Sequence, residues 1–586
     1  MPLSFRPLLR RLAALASGGV AAANLLSPPI QAAPPDSFIA VARDGRGFEL
    51  RPWGRPFTPW GFNYDRDEAG RLLEDYWEQE WDRVEGDFRE MQELGANVVR
   101  LHLQFGRFME TAERPNPAAL ARLRQVMDLA ARTGLRLNLT GLGCYHKTDV
   151  PAWYDALPEA GRWRAQGAFW EAIARTCASN ASVFCYNLMN EPVVPGAPRA
   201  PGDWLGPPLA GKHFVQFITL DPAGRERPAI ARAWAESLTR AIRRHDRRTL
   251  VTVGLVDWSL DRPGLQSGFL PERVAPEIDF LGVHLYPQAD DVAGALQTLR
   301  GFAVGKPVLV EETFPLKASM PDLARFLEAS QADAAGWLGF YWGRTPEELA
   351  SATDMGGRLT RAWLEYFRDH PRPRLAGYQT RRLEGWTVLI HERLLAEQAK
   401  ATEQGLDLIA GQLREIRRLI PARPLAHLRT VPLWLSPEYP GVRPTAEYHP
   451  GAGWLRAQRR NAAMVAGVEF TNVRHLPREV KRMPMLVLHE LAHAYHDQVL
   501  GFDHPEIEAA ARQARASGAY HKVQRVFADG STAEEPAYAL TDAKEYFAES
   551  TEAFFGRNDF FPFTREDLQR EDPGMHRLLR RLWLGE

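Results

Sequence analysis

His489 and His493 stand four residues apart, with Glu490 between them. On a helix that spacing places both imidazoles on one face, about one turn apart. Both can then reach one zinc ion, and the intervening glutamate is placed to act as general base on a metal-bound water. The flanks suit a helix: Pro484 fits a first turn, Met485 to Leu488 are apolar, and Gly501 is a stop signal. His496 shares the face, but seven residues rise about 10 Å, too far for one ion to hold both ends. An amphipathic helix with surface histidines has the same pattern, so the pair needs a third ligand from elsewhere.

That ligand is sought in Tyr538-Ala-Leu-Thr-Asp-Ala-Lys-Glu545-Tyr-Phe-Ala-Glu549. Glu545, Glu549 and Glu552 share a helical face, and spacing does not choose among them. The segment resembles the active-site segment of anthrax lethal factor-type gluzincin metallopeptidases. The resemblance implies Glu545 as third zinc ligand and Tyr538 as the residue that stabilises the oxyanion or protonates the leaving group. It also implies Glu549 as a supporting carboxylate, and a zincin-like metallopeptidase domain acting on a peptide or protein. Two imidazoles and one carboxylate leave a fourth position for water, the pattern of catalytic zinc. A third histidine at the metzincin offset is absent, since His496-Asp497-Gln498 stands there.

A second set of polar residues falls at the ends of apolar runs in the first two-thirds of the chain. Arg100 lies in Asn97-Val-Val-Arg-Leu, Asn190-Glu191 closes Val183–Met189, and His284 with Tyr286 follows Phe280. Glu311 and Glu312 end Lys306-Pro-Val-Leu-Val, and Trp342 ends Gly336–Tyr341. Two carboxyls on opposite sides of a barrel mouth can serve as proton donor and nucleophile in glycoside cleavage. The series resembles the clan A retaining glycoside hydrolases, with the cellulase-like family 5 nearest. The resemblance implies Glu191 as acid/base with Asn190 beside it, and Glu312 as nucleophile. Arg100 then tunes the nucleophile, His284 and Tyr286 bind near the reacting sugar, and Trp342 is a stacking platform. Strand alternation sends Glu311 to the opposite face. His146 is only a loose match for a family histidine after the third strand, and Thr313-Phe314 replaces the usual aromatic-Gly pair. Trp60, Trp77, Trp81, Trp153 and Trp258 fall near predicted loops, where such rings can stack on sugars.

These groups need elements to position them. Strand signals recur at Phe57–Asn63, Asn97–Leu103, Leu135–Leu142, Val183–Met189, Thr249–Leu255, Phe280–His284, Pro307–Glu312 and Gly336–Trp342, with helical segments between most of them. Asn116-Pro117 reads as a cap and first turn, and Gly95 and Gly134 as helix ends. Eight strand–helix pairs predict a (β/α)8 TIM barrel; a doubly wound sheet is the alternative, but no Gly-rich phosphate loop follows the first strand. Pro and Gly cluster between Asp369 and Gly377. Beyond them, Trp386–His391 and Leu428–Leu435 read as strands and Leu394–Leu419 as a long helix. Gly467–Asn472 reads as an edge strand for extended peptide. The fold class is thus multidomain, an α/β barrel followed by an α+β domain. The predicted domains are 36–368 for the barrel, 369–378 for a linker and 379–586 for the zinc domain.

The chain has 586 residues, enough for more than one core. Its net charge of −1 gives no reason to expect nucleic acid or anionic membrane as a partner. Arg6, Arg10 and Arg11 precede the apolar run Leu12–Leu26 and then small residues. This predicts an export signal within 1–33, cleaved at Ala21–Ala23 or at Ala32-Ala33, a secreted or periplasmic protein, and no stable membrane span after removal; a retained membrane anchor is the alternative. The 3 cysteines, Cys144, Cys177 and Cys185, allow at most one disulfide. The expected partners are a β-linked oligo- or polysaccharide and a peptide or protein; the expected cofactor is Zn2+.

Overall fold

The computed structural model describes residues 37–52, 54–262, 264–370 and 377–586. The expected export signal and residues 371–376 of the junction lie outside the described residues. All eight expected strands of the first region are present: β1 (Trp60–Tyr64), β2 (Val98–Gln104), β3 (Arg136–Gly143), β4 (Val183–Asn190), β5 (Leu250–Val256), β6 (Leu281–His284), β7 (Val308–Glu312) and β8 (Gly336–Phe340). They pair in parallel, in chain order, and β8 closes on β1. Almost every strand position is buried, as expected when helices cover the outside and side chains fill the inside. The helix Pro117–Thr133 shows why its boundaries were readable. Asn116 caps it by accepting from Ala118 N, and Gly134 ends it at φ 73°, a left-handed position that a side chain disfavours.

The N-terminal end of the barrel is closed by an antiparallel sheet of Phe38–Val41, Phe48–Arg51 and Arg55–Phe57. Its Phe48 ring packs edge-on against Phe184 and Phe280, each at 5.1 Å. The opposite end, where the strands terminate, is left for the polar residues.

The tail builds its own core around Trp386, Ile409, Leu433, Leu488 and Phe547, separate from the barrel core. Its mixed sheet contains β9 (Tyr378–Leu383), β10 (Trp386–His391), β11 (Leu433–Leu435), β12 (Ala446–Tyr448) and β13 (Val468–Phe470), in the order β9-β10-β11-β13-β12. Three expectations need correction. Gly467–Asn472 is not an edge: β13 pairs with β11 on one side and β12 on the other, so the edge beside the histidine helix is β12. The strand expected at Leu428–Leu435 is only β11, because Ala422–Leu428 is a helix and Pro432 follows its terminal turn. The long helix Leu394–Leu419 breaks at Gln398, whose φ of −138° and ψ of 32° lie outside the helical region. Two further helices face each other: α1 (Leu486–Tyr495) and α2 (Ala543–Phe555).

The three cysteines are buried and free. Among the described residues, no helix is long and apolar enough to cross a membrane.

Candidate active sites

At the C-terminal mouth of the barrel, the strand-end residues converge. Carboxylate oxygens of Glu191 and Glu312 and a ring nitrogen of His284 lie within 4.8 Å of one another. Arg100, fully buried, donates to Glu312 Oε1 at 2.5 Å, to Asn63 Oδ1 at 2.8 Å and to Asn190 Oδ1 at 2.9 Å. Tyr286 donates its hydroxyl to Glu312 Oε2 at 2.8 Å. Glu312 therefore accepts from two donors, one on each oxygen. Glu191 meets a different neighbour, His284 Nδ1 at 2.9 Å. Its backbone is left-handed, with φ at 44°, a strained position of the kind that collects at functional sites. Burial disfavours a charged His284, but Glu312, Glu191 and Glu311 outweigh it and lift the imidazole to about 9.

Glu311 does not point to the opposite face. The register between β6 and β7 shifts at Val283/His284, and this bulge defeats simple alternation. Both adjacent carboxylates turn inward: Glu312 at the mouth and Glu311 a layer below. There Glu311 accepts from Asn138 Nδ2 at 2.5 Å and Asn187 Nδ2 at 2.8 Å, with Arg100 Nε 3.8 Å away. Burial opposes its charge, but Arg100, His284 and Asn138 hold the carboxyl below the usual range. Gly282 makes room for it, since a Cβ there would sit 2.3 Å from Glu311 Oε2. Glu311→Ala leaves Arg100 short of one of its two counter-charges and its amide partners unfilled. We expect a loss of about 3–5 kcal/mol, read from the shift in the denaturant midpoint of unfolding.

Trp342 stands at the rim. Its Nε1 donates to Asp65 Oδ1 at 3.2 Å, and the Arg66 guanidinium sits 4.9 Å from the ring centroid. Burial, opposed by Arg66 and reinforced by Glu312, pushes Asp65 up to about 6. Asp65, Asn63, Asn138, Asn187 and the His102–Tyr145 pair were not foreseen. The signal for Asn138 and Asn187 was present, since each interrupts an otherwise apolar run. His102 Nδ1 contacts the Tyr145 hydroxyl, and burial, Arg100 and His284 keep this imidazole well below its usual range. Of the loop tryptophans, Trp60 is core, stacked on Phe367 at 4.3 Å, and Trp77 is buried with it.

In the tail, α1 and α2 bring three donor atoms together. His489 Nε2 lies 3.1 Å from Glu545 Oε2, His493 Nε2 lies 3.3 Å from the same oxygen, and the two nitrogens are 3.2 Å apart. A tetrahedral ion with bonds of about 2.0–2.1 Å has ligand–ligand edges of about 3.3 Å, so the triangle fits zinc. The other nitrogen of His489, Nδ1, contacts Glu552 Oε1 at 2.7 Å, where a carboxylate would orient the imidazole if it ligated a metal. Glu549, assigned that support by resemblance, instead accepts from Asn558 Nδ2 at 2.8 Å. Glu490 Oε2 accepts from the backbone N–H of Tyr448 on β12 at 2.9 Å. Tyr538 is 47% exposed, with its hydroxyl 3.5 Å from Glu545 Oε1. His496 faces away, packed between Phe502 and Phe547.

Residues 61–318 match the model of the family Cellulase (glycosyl hydrolase family 5). No curated protein matches the chain. Among solved structures, the exo-β-1,4-mannosidase Op5Man5 from Opitutaceae bacterium strain TAV5 is 20% identical, at TM-score 0.42, over 56% of this chain and 61% of that one. The chain therefore spans about three fifths of the mannosidase's length. GH5_18 from Streptomyces cattleya, in complex with Manb1-4GlcNAc, is 17% identical at TM-score 0.41, over 61% of this chain and 93% of that one. The β-mannanase from the blue mussel Mytilus edulis is 14% identical at TM-score 0.39, over 58% and 99%.

Proposed function

We propose that the barrel cleaves a β-linked oligo- or polysaccharide of the cellulose or mannan type with retention at the anomeric carbon. The observation that carries this reading is the pair Glu191 and Glu312, with oxygens within 4.8 Å and different partners. Retaining enzymes place their carboxyls about 5–5.5 Å apart, whereas inverting ones need about 6.5–9.5 Å to admit a water. Glu312, held by Arg100 and Tyr286, attacks the anomeric carbon while Glu191 gives its proton to the departing oxygen. A glycosyl ester on Glu312 results. Glu191 then takes a proton from water, the water attacks the same carbon, and Glu312 leaves as carboxylate. His284 spans both steps, because it touches Glu191 and lies 3.5 Å from Glu312. The family match over residues 61–318 supports the substrate class. Proton NMR of an oligosaccharide digest tests the stereochemistry: the β-anomer should appear first and mutarotate later. The α-anomer as first product would contradict the assignment.

For the tail we propose a zinc metallopeptidase of the gluzincin type, favoured by the donor triangle of His489, His493 and Glu545. Bound zinc would act as Lewis acid and lower the pKa of a water to about 7. Glu552 fixes the His489 ring. Glu490, anchored to the edge strand, takes the water's proton and passes it to the leaving amine. The free edge of β12 would hold an extended peptide by backbone hydrogen bonds. Tyr538, half exposed, would swing its hydroxyl to the developing oxyanion. Export is proposed from the basic and apolar stretches of residues 6–26 alone.

A further inference from the structure

A cavity of 460 Å³ lies between the barrel and the tail, and no residue assigned to either site lines it. Its volume is that of a small-molecule pocket. The barrel side contributes Arg55 and Arg136; the tail contributes Arg382, Arg423, His427, Arg429 and Arg581, the last of them paired with Glu506 outside the lining. No Asp or Glu is among the described residues that line it. Four of these guanidiniums, those of Arg55, Arg136, Arg382 and Arg429, are hydrogen-bonded only to neutral acceptors. Arg136 donates to Ala181 O and to Ser37 Oγ, Arg55 to Ala466 O at 3.5 Å, Arg382 to Thr387 Oγ1 at 2.9 Å and Arg429 to Gln92 Oε1 at 3.4 Å. Buried Nε atoms of Arg382 and Arg429 have no hydrogen-bond partner.

So many like charges facing one space without a carboxylate is an arrangement that folding alone does not favour. Burial lowers Arg55 to about 10. Burial first, then the neighbouring arginine, lowers Arg136 and Arg382 to about 10. Burial with Arg55 and Arg136 drives His427 down to about 3, which keeps it neutral. Arginine presents a planar fork that suits phosphate and carboxylate oxygens. We propose that this cavity binds a small, multiply charged oxyanion, an organic phosphate or a polycarboxylate, whose charge the four arginines share. Because both parts of the chain supply arginines, the bound anion ties the barrel to the tail.

Binding to the full-length protein is measured by calorimetry and by melting temperature, with pyrophosphate and citrate as probes at constant ionic strength. At least one should bind saturably and raise the melting temperature; which one does so separates the phosphate source from the carboxylate source. Arg382→Gln and Arg136→Gln should each weaken binding at least tenfold. A merely structural arginine and a ligand-binding one differ in a second readout. Removing one of several repelling charges should raise the melting temperature of the anion-free protein while abolishing the anion-induced rise. Absence of saturable binding by either probe, or unchanged affinity in both variants, would overturn the proposal.

Discussion

Glu312→Gln should leave the barrel folded and lower turnover of an aryl β-glycoside by on the order of 10⁴-fold or more. The substitution keeps the size of the side chain: the Gln carbonyl oxygen can accept from Arg100, which touches Glu312 at 2.5 Å, and its amide N–H can donate to the Tyr286 hydroxyl, which lies 2.8 Å from the other oxygen of Glu312. What it removes is the nucleophile. Glu191→Gln removes a proton donor instead, so its loss should be smaller, about 10²–10⁴-fold. It should also depend on the leaving group: a substrate whose phenol leaves readily needs less protonation and should lose less. Equal losses on good and poor leaving groups would contradict Glu191 as the acid. Full activity in Glu312→Gln would sink the barrel reading outright.

The second large effect concerns metal. One zinc per chain is expected, lost in His493→Ala and retained in Glu490→Gln, with peptide hydrolysis by the latter lowered by about 10²–10⁴-fold. Elemental analysis and a peptide assay read the two effects separately. The same helices offer another cluster, His489 with Glu549 and Glu552. Zinc kept in Glu545→Ala and lost in Glu549→Ala would move the site there. A chelator should stop peptide hydrolysis and spare glycoside cleavage, because the mechanism proposed for the barrel works through two carboxylates. Loss of both activities on chelation would show the tail to be a structural part of the glycosidase.

The barrel was legible because its signals are local. Each strand is a short apolar run, and the polar residues that matter sit at the ends of those runs, as Arg100, Glu191, His284 and Glu312 do. The histidine helix was legible for the same reason, since a spacing of four needs no knowledge of the rest of the chain. The failures depend on pairing between distant segments. Alternation misplaced Glu311, because the bulge between β6 and β7 is set by neighbouring strands rather than by the strand's own sequence. The sequence of β13 reads as an edge, although strand order in a sheet is not written in any one strand. Asn63, Asn138 and Asn187 looked like isolated polar positions until the barrel closed them around Arg100 and Glu311. Glu552, rather than Glu549, reaches His489 because the crossing of α1 and α2 decides it.

The central claim is that Glu312 forms a covalent bond to sugar while Glu311, one residue away and fully buried, does not. The most direct measurement is incubation of the full-length protein with an activated 2-fluoro β-glycoside, followed by peptide mapping by mass spectrometry. One label per chain on Glu312 is the predicted result. A label on Glu311, or no label from a protein that turns over β-glycosides with inversion, would contradict it.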